Sequence, residues 1–224
     1  MRELEGVVGL LKIGSQLYTA QGPRSVEKVA RAGFDVFLDL KFHDIPNTVA
    51  GAVAAAATLP RVRLLTLHTT GGFAMMCAAR ETLAGMKNRP ALLGVTVLTS
   101  LDAAELRRVG VSGSPTARAV ALARLAKRAG LDGVVASAHE AGPIRRACGS
   151  EFTIVVPGVR PASSTTNDQS RVATPSEAIR AGADYLVIGR PITSAPDPRA
   201  AAVAIIKEMD SAKRSRPVAG LTRS

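Results

Sequence analysis

The stretch Val36-Phe37-Leu38-Asp39-Leu40-Lys41-Phe42-His43-Asp44-Ile45-Pro46-Asn47-Thr48 runs from an apolar segment into a helix start, with charges at the junction. Its first part, 36–41, reads as a β-strand, and Pro46-Asn47-Thr48 opens a helix over 46–58. A strand inside a parallel sheet should be apolar, so Asp39 and Lys41 are anomalies. They are two residues apart and should point to the same face. A buried charge without a partner is costly, so the two should pair. Lys12 ends the preceding apolar run, and Asp44 follows Lys41 by three residues. The pattern predicts two ammoniums and two carboxylates on neighbouring strand ends.

Working outward, apolar runs rich in β-branched residues recur at 7–14, 64–69, 91–99, 133–138, 153–159 and 185–190. Ala-rich segments with helical spacing lie between them, at 73–86, 115–129 and 174–182, and a final helix spans 198–210. Near-continuous apolar strands alternating with helices indicate a parallel sheet covered by helices. Ala-Gly steps at 32–33, 129–130 and 181–182 place Gly where a left-handed helix cap is needed. Seven strands fit either an open doubly wound sheet or a (β/α)8 barrel with one strand unseen. Lys12-Ile13-Gly14-Ser15-Gln16 lacks a dinucleotide fingerprint, and no phosphate-binding loop of the G-x-x-x-x-G-K-[ST] type occurs. At the C-terminal strand ends of a barrel, Lys12, Asp39, Lys41 and Asp44 read as catalytic, whereas the plainer reading is a salt bridge closing the mouth.

The later strand ends suit an anion. Gly189-Arg190 follows Val187-Ile188; a Gly lets a ligand approach the backbone, and an Arg offers a forked donor for phosphate. Pro157-Gly158-Val159-Arg160 opens a long Ser/Thr/Asn-rich loop that is either a ligand-covering lid or an ordinary surface loop. His68 and His139 near strand ends read first as structural residues. With His43 they share no metal-ligand spacing, and no carboxylate cluster suits Mg²⁺, so no metal is expected.

The 224 residues suit one domain, expected over 1–210, followed by a basic tail over 211–224. Hydrophobic residues make up 46% and charged residues 21%, which is enough for a core; aromatics are 3%, with no Trp, so that core is aliphatic. Lys and Arg number 29 against 18 Asp and Glu, giving +11. The basic residues are scattered and few rings are available for base stacking, which argues against nucleic acid. No apolar run reaches membrane-spanning length, the N-terminus does not read as a signal peptide, and Cys77 and Cys148 lie in no metal spacing. A cytoplasmic protein without a membrane partner is expected.

Asp39-Leu40-Lys41-Phe42-His43-Asp44-Ile45-Pro46-Asn47-Thr48 closely resembles the signature of the orotidine 5′-phosphate decarboxylase family, in its common bacterial branch. The resemblance continues in order through Lys12-Ile13-Gly14, Leu98-Thr99-Ser100, Pro157–Arg160, Asn167-Asp168-Gln169, Arg171–Pro175 and Gly189-Arg190. Sugar-phosphate decarboxylase and hexulose-phosphate synthase barrels share only the shorter Asp-x-Lys-x-x-Asp. They remain the enzyme alternative, with metal dependence as their mark; an inactive barrel is the other.

The resemblance implies a (β/α)8 TIM barrel, seven of whose eight strands are visible. A first strand and most of its helix would precede Leu4, so no residue here takes the ribose contact of that strand. It implies decarboxylation of orotidine 5′-phosphate to uridine 5′-monophosphate (UMP) in pyrimidine biosynthesis, without cofactor or metal. Lys41 would donate the proton to C6, with Lys12 and Asp39 completing the charge array. Asp44, Ile45 and Thr48 would reach into the partner's site in a homodimer. Thr99 would contact the pyrimidine, and Arg160, Gln169, Gly189 and Arg190 would hold the phosphate, with Ser100 and Pro157 completing the substrate-binding set.

Overall fold

In the computed structural model, which describes residues 1–161 and 173–215, seven parallel strands form one sheet in chain order. They are β1 (Leu10–Gly14), β2 (Asp35–Phe42), β3 (Val62–His68), β4 (Ala91–Val95), β5 (Gly133–Val135), β6 (Thr153–Pro157) and β7 (Tyr185–Val187). Ten helices surround the described strands: α1 (Ser15–Gln21), α2 (Pro23–Arg31), α3 (Pro46–Ala57), α4 (Phe73–Glu81), α5 (Ala103–Arg108), α6 (Pro115–Arg128), α7 (Ala138–Cys148), α8 (Pro175–Ala181), α9 (Arg190–Thr193) and α10 (Pro198–Arg214). The sheet curls into a nearly closed barrel in which β1 and β7 are the end strands.

The pleat sorts the core into two parts. Phe37, Leu64, Leu93, Val95, Val135 and Val155 form a small cluster inside the barrel. Alternate residues such as Val36, Leu38, Leu65, Leu92, Val134 and Ile154 belong to the larger cluster shared with the helices. Helix starts are written locally. Pro occupies the first turn of α3, α6, α8 and α10, and Ser114, Thr174 and Asp197 accept backbone N–H bonds at three of those starts. Gly33, Gly130 and Gly182 have φ of 88°, 81° and 112°, so the expected glycine caps are present.

Several strands are shorter than their apolar runs. The run at 7–14 becomes strand only from Leu10, because Val7 and Val8 pack instead against Ile188, Ile192 and α10. Residues 96–99, 136–138 and 188–190 also lie beyond the ladder: Thr96 turns its hydroxyl to the Val135 carbonyl, Ser137 is the cap of α7, and Gly189 is the cap of α9. At the other end, α10 continues past Asp210 to Arg214 with Ala212 buried, so 211–214 are helix rather than tail. Ser215 caps that helix, and 216–224 of the expected tail lie outside the described residues.

Candidate active site

The site begins with a distortion in β2. Between Leu38 and Phe42 this strand advances four residues while β3 advances two, from Leu65 to Leu67. Lys41 sits in that bulge with φ of +53°, a region few residues with a Cβ adopt. Asp39 and Lys41 nevertheless line the same cavity, as their two-residue spacing predicts, with the bulge setting the backbone at Lys41.

Lys41 Nζ donates to Asp39 Oδ2 at 2.8 Å, and Lys12 Nζ lies 3.4 Å from the same oxygen. The Asp39 side chain is buried, at 10% exposure, while each lysine side chain is 36% exposed. Lys12 is the central residue of β1 rather than its end, opposite Phe37 in the register, and it reaches Asp39 from the neighbouring strand. Two ammoniums around one carboxylate leave an excess of positive charge facing a cavity of about 180 Å³. Phe37, Val95 and Val135 form its apolar floor, and Thr99, Pro157 and Val187 line its sides. A low-dielectric floor under a fixed positive charge strengthens attraction for a substrate anion and for negative charge formed during reaction.

Asp44 does not complete the array. It is exposed, and its Oδ1 accepts the N–H of Ile45 at 2.6 Å, so three of the four expected charges meet rather than four. The turn after β2 carries Asp44, Ile45 and Thr48 to the exposed rim, with Ile45 66% exposed. Thr99 lines the cavity, in the turn beyond β4 rather than on the strand, and Ser100 beside it is exposed. Arg160, beyond β6, donates its backbone N–H to the Ala173 carbonyl at 3.0 Å. Gly189 and Arg190 are exposed at the start of α9. Gln169, with Asn167, Asp168 and Arg171, lies outside the described residues.

Thr66 beside the array has no place in the sequence reading of the site, and His68, read there as structural, stands close to it. Thr66 of β3 is fully buried; its hydroxyl accepts the backbone N–H of Lys41 and donates to Asp39 Oδ1, both at 3.0 Å. The signal was a polar residue inside Leu64-Leu65-Thr66-Leu67, easily passed over because Thr is common in strands. His68 ends β3, its ring centroid 5.4 Å from that of His43. Burial, then the neighbouring His43 and Lys41, hold its pKa below the ordinary 6.5, against a weaker opposite pull from Asp39. His139 is exposed on α7, away from the cavity lining. Among the described residues no group of three or more His, Cys, Asp or Glu stands ready to hold a metal ion, and no helix is long and apolar enough to cross a membrane.

The family described as orotidine 5′-phosphate decarboxylase / HUMPS matches residues 1–205. The chain belongs to this family. It is 53% identical over 199 residues to the orotidine 5′-phosphate decarboxylase of Teredinibacter turnerae, covering 89% of this chain and 85% of that protein. It is also 53% identical over 217 residues to that of Syntrophotalea carbinolica, covering 95% and 88%. Among solved structures, the Lactobacillus acidophilus orotidine 5′-phosphate decarboxylase superposes with a TM-score of 0.77 at 38% identity, over 89% of this chain and 86% of that one. The Pyrococcus horikoshii enzyme shares the fold, with a TM-score of 0.73 at 22% identity over 93% and 90%. In this orotidine 5′-phosphate decarboxylase / HUMPS chain the Asp-x-Lys-x-x-Asp stretch is thus the bulged end of β2 and the turn after it.

Proposed function

We propose that the protein decarboxylates orotidine 5′-phosphate to UMP in cytoplasmic pyrimidine nucleotide synthesis, with Lys41, Asp39 and Lys12 as the reacting array. The observation that carries this reading is the pair of ammoniums fixed on one buried carboxylate above an apolar floor. The bond from C6 to the carboxylate breaks, carbon dioxide leaves, and the electron pair stays on C6. No adjacent carbonyl can accept that pair, so a preorganised ammonium is the stabiliser the reaction needs. Lys41 Nζ then gives its proton to C6 and is recharged from solvent. Asp39 holds both lysines and, close to the departing carboxylate, favours its loss.

The phosphate falls to Gly189 and Arg190 after β7 and to Arg160 after β6, since barrels of this class commonly bind phosphate beyond their last strands; Gln169 takes part in the same reading. A homodimer assembled mouth to mouth is supported by exposed Ile45, Phe73 and Leu98, which follow β2, β3 and β4 at one rim. Asp44, Ile45 and Thr48 are then the residues offered to the partner's site.

The test follows the absorbance of orotidine 5′-phosphate with the purified protein, with and without a chelator. Turnover indifferent to chelator is expected, and Lys41→Ala should lower kcat by about 10³-fold or more while far-UV circular dichroism stays unchanged. A Lys41→Ala variant retaining most of its activity overturns the role of Lys41. Activity abolished by chelator favours the metal-dependent sugar-phosphate branch, which the breadth of the matched family keeps as the second reading.

A further inference from the structure

We propose that Thr66 is a positioning residue for the decarboxylation, its hydroxyl fixing at once the backbone of Lys41 and the carboxylate of Asp39. The inference rests on the reading that Lys41 and Asp39 act in the reaction. Thr66 lies in the middle of β3 between Leu65 and Leu67, with no exposed surface. Val has nearly the same shape, favours strands equally and buries a methyl in place of a hydroxyl. For the barrel alone Val would serve at least as well, because a buried hydroxyl is a liability unless its hydrogen-bonding groups are matched.

The partners of that hydroxyl are both parts of the array. It accepts the N–H of Lys41, a residue held at φ of +53° in the β2 bulge, and it donates to Asp39 Oδ1. With Oδ1 occupied, Oδ2 is the oxygen that takes Lys41 at 2.8 Å and Lys12 at 3.4 Å. Other buried threonines at this end of the barrel behave differently. Thr69 Oγ donates to the Val95 carbonyl at 2.8 Å and Thr96 Oγ to the Val135 carbonyl at 3.0 Å, each stitching its strand to backbone further along the sheet. Thr66 reaches back to the preceding strand and bonds a functional side chain. Its hydroxyl sets where the ammonium stands relative to the carboxylate, and so where it stands relative to C6 of the substrate.

The experiment compares Thr66→Val, Thr66→Ser and Lys41→Ala in the decarboxylation assay, with UMP affinity and melting temperature measured on each. Thr66→Val should keep UMP affinity within about threefold and lower kcat by about ten- to a hundredfold, the range expected when a reacting group is displaced by around 1 Å. Thr66→Ser, which keeps the hydroxyl, should restore most of kcat. Unchanged kcat in Thr66→Val overturns the proposal. Equal losses in Thr66→Val and Thr66→Ser also overturn it, since packing and not the hydroxyl would then be responsible. If Thr66→Val does not fold, Thr66→Ala replaces it, and kcat equal to that of Thr66→Ser is the overturning result. A fully active Lys41→Ala defeats the underlying reading, whereas an inactive Lys41→Ala beside a fully active Thr66→Val defeats only the role of Thr66.

Discussion

His68 gives the residue scale its clearest pH signature. Burial, His43 and Lys41 lower its pKa, so the folded protein resists protonating a ring that the unfolded chain protonates near 6.5. Between the lowered value and 6.5 the unfolded state binds more protons, and stability therefore rises with pH across that window. The contribution is complete above 6.5 and lost as pH falls through the folded value. The melting temperature should drop on acidification below about pH 6.5, and His68→Gln should flatten that drop. Parallel curves for the two proteins, taken at constant ionic strength, would show that His68 does not supply the dependence. What the sequence discloses at this scale follows from the same physics. Charges inside an apolar strand are conspicuous because burying them is expensive, which is why Lys12, Asp39 and Lys41 could be read together. Thr66 is neither charged nor rare in strands, so nothing in the sequence separates its two hydrogen bonds from ordinary packing. Asp44 belongs to the same charge pattern along the chain, but spacing carries no information about the turn that takes it to the rim of its own barrel.

At the scale of elements, two glycines make opposite predictions. A Cβ on Gly133 of β5 would stand 2.2 Å from the Thr153 carbonyl oxygen and 2.6 Å from its Cβ, in the neighbouring strand. Gly133→Ala must push β6 away and should cost about 1–3 kcal/mol or more. Gly51 lies inside α3, exposed, with nothing within 4 Å of a Cβ added there. Gly51→Ala should stabilise by about 0.5–1 kcal/mol, because Ala loses less backbone freedom in a helix. Urea unfolding of both variants checks the pair; a stable Gly133→Ala would mean that β5 and β6 can separate without penalty. Element type was legible because period and composition agree: each of the seven apolar runs contains a strand. Strand ends were not, since Val97 is as buried as strand residues although it lies past the last backbone bond from β4 to β5 among the described residues, at Thr96. Apolar composition reports burial, and burial continues past the last strand hydrogen bond where the chain lines the cavity.

The whole molecule is a sheet that nearly meets itself. Seven apolar runs in the sequence match seven strands among the described residues, but whether the ends join depends on register and tilt, which no local pattern encodes. The ends are tied by side chains. Leu4, Val7 and Val8 pack with Ile188, Ile192, Ala202, Ile205 and Met209, and Arg199 Nη1 donates to the carbonyls of Glu3 and Glu5, each at 3.0 Å. Such a clamp can hold β1 beside the last helices, yet it supplies no partner for the outer backbone groups of β1 or β7, which pair only with β2 and β6 among the described strands. Exposure follows the same order: Tyr185 of β7 is 43% exposed, while Leu65 and Leu67 of β3 and Leu92 and Leu93 of β4 are at 0%. Local opening should therefore begin at the two ends of the sheet. In hydrogen exchange, peptides over 10–14 and 185–187 should take up deuterium well before those over 62–68 and 91–95. Arg199→Ala should speed the 10–14 peptide further while leaving 91–95 unchanged, because the clamp acts on the end of the sheet and not on its centre. Equal protection of all seven strands would mean that another segment or a partner covers both edges, and the clamp would then have no measurable part in holding the barrel together.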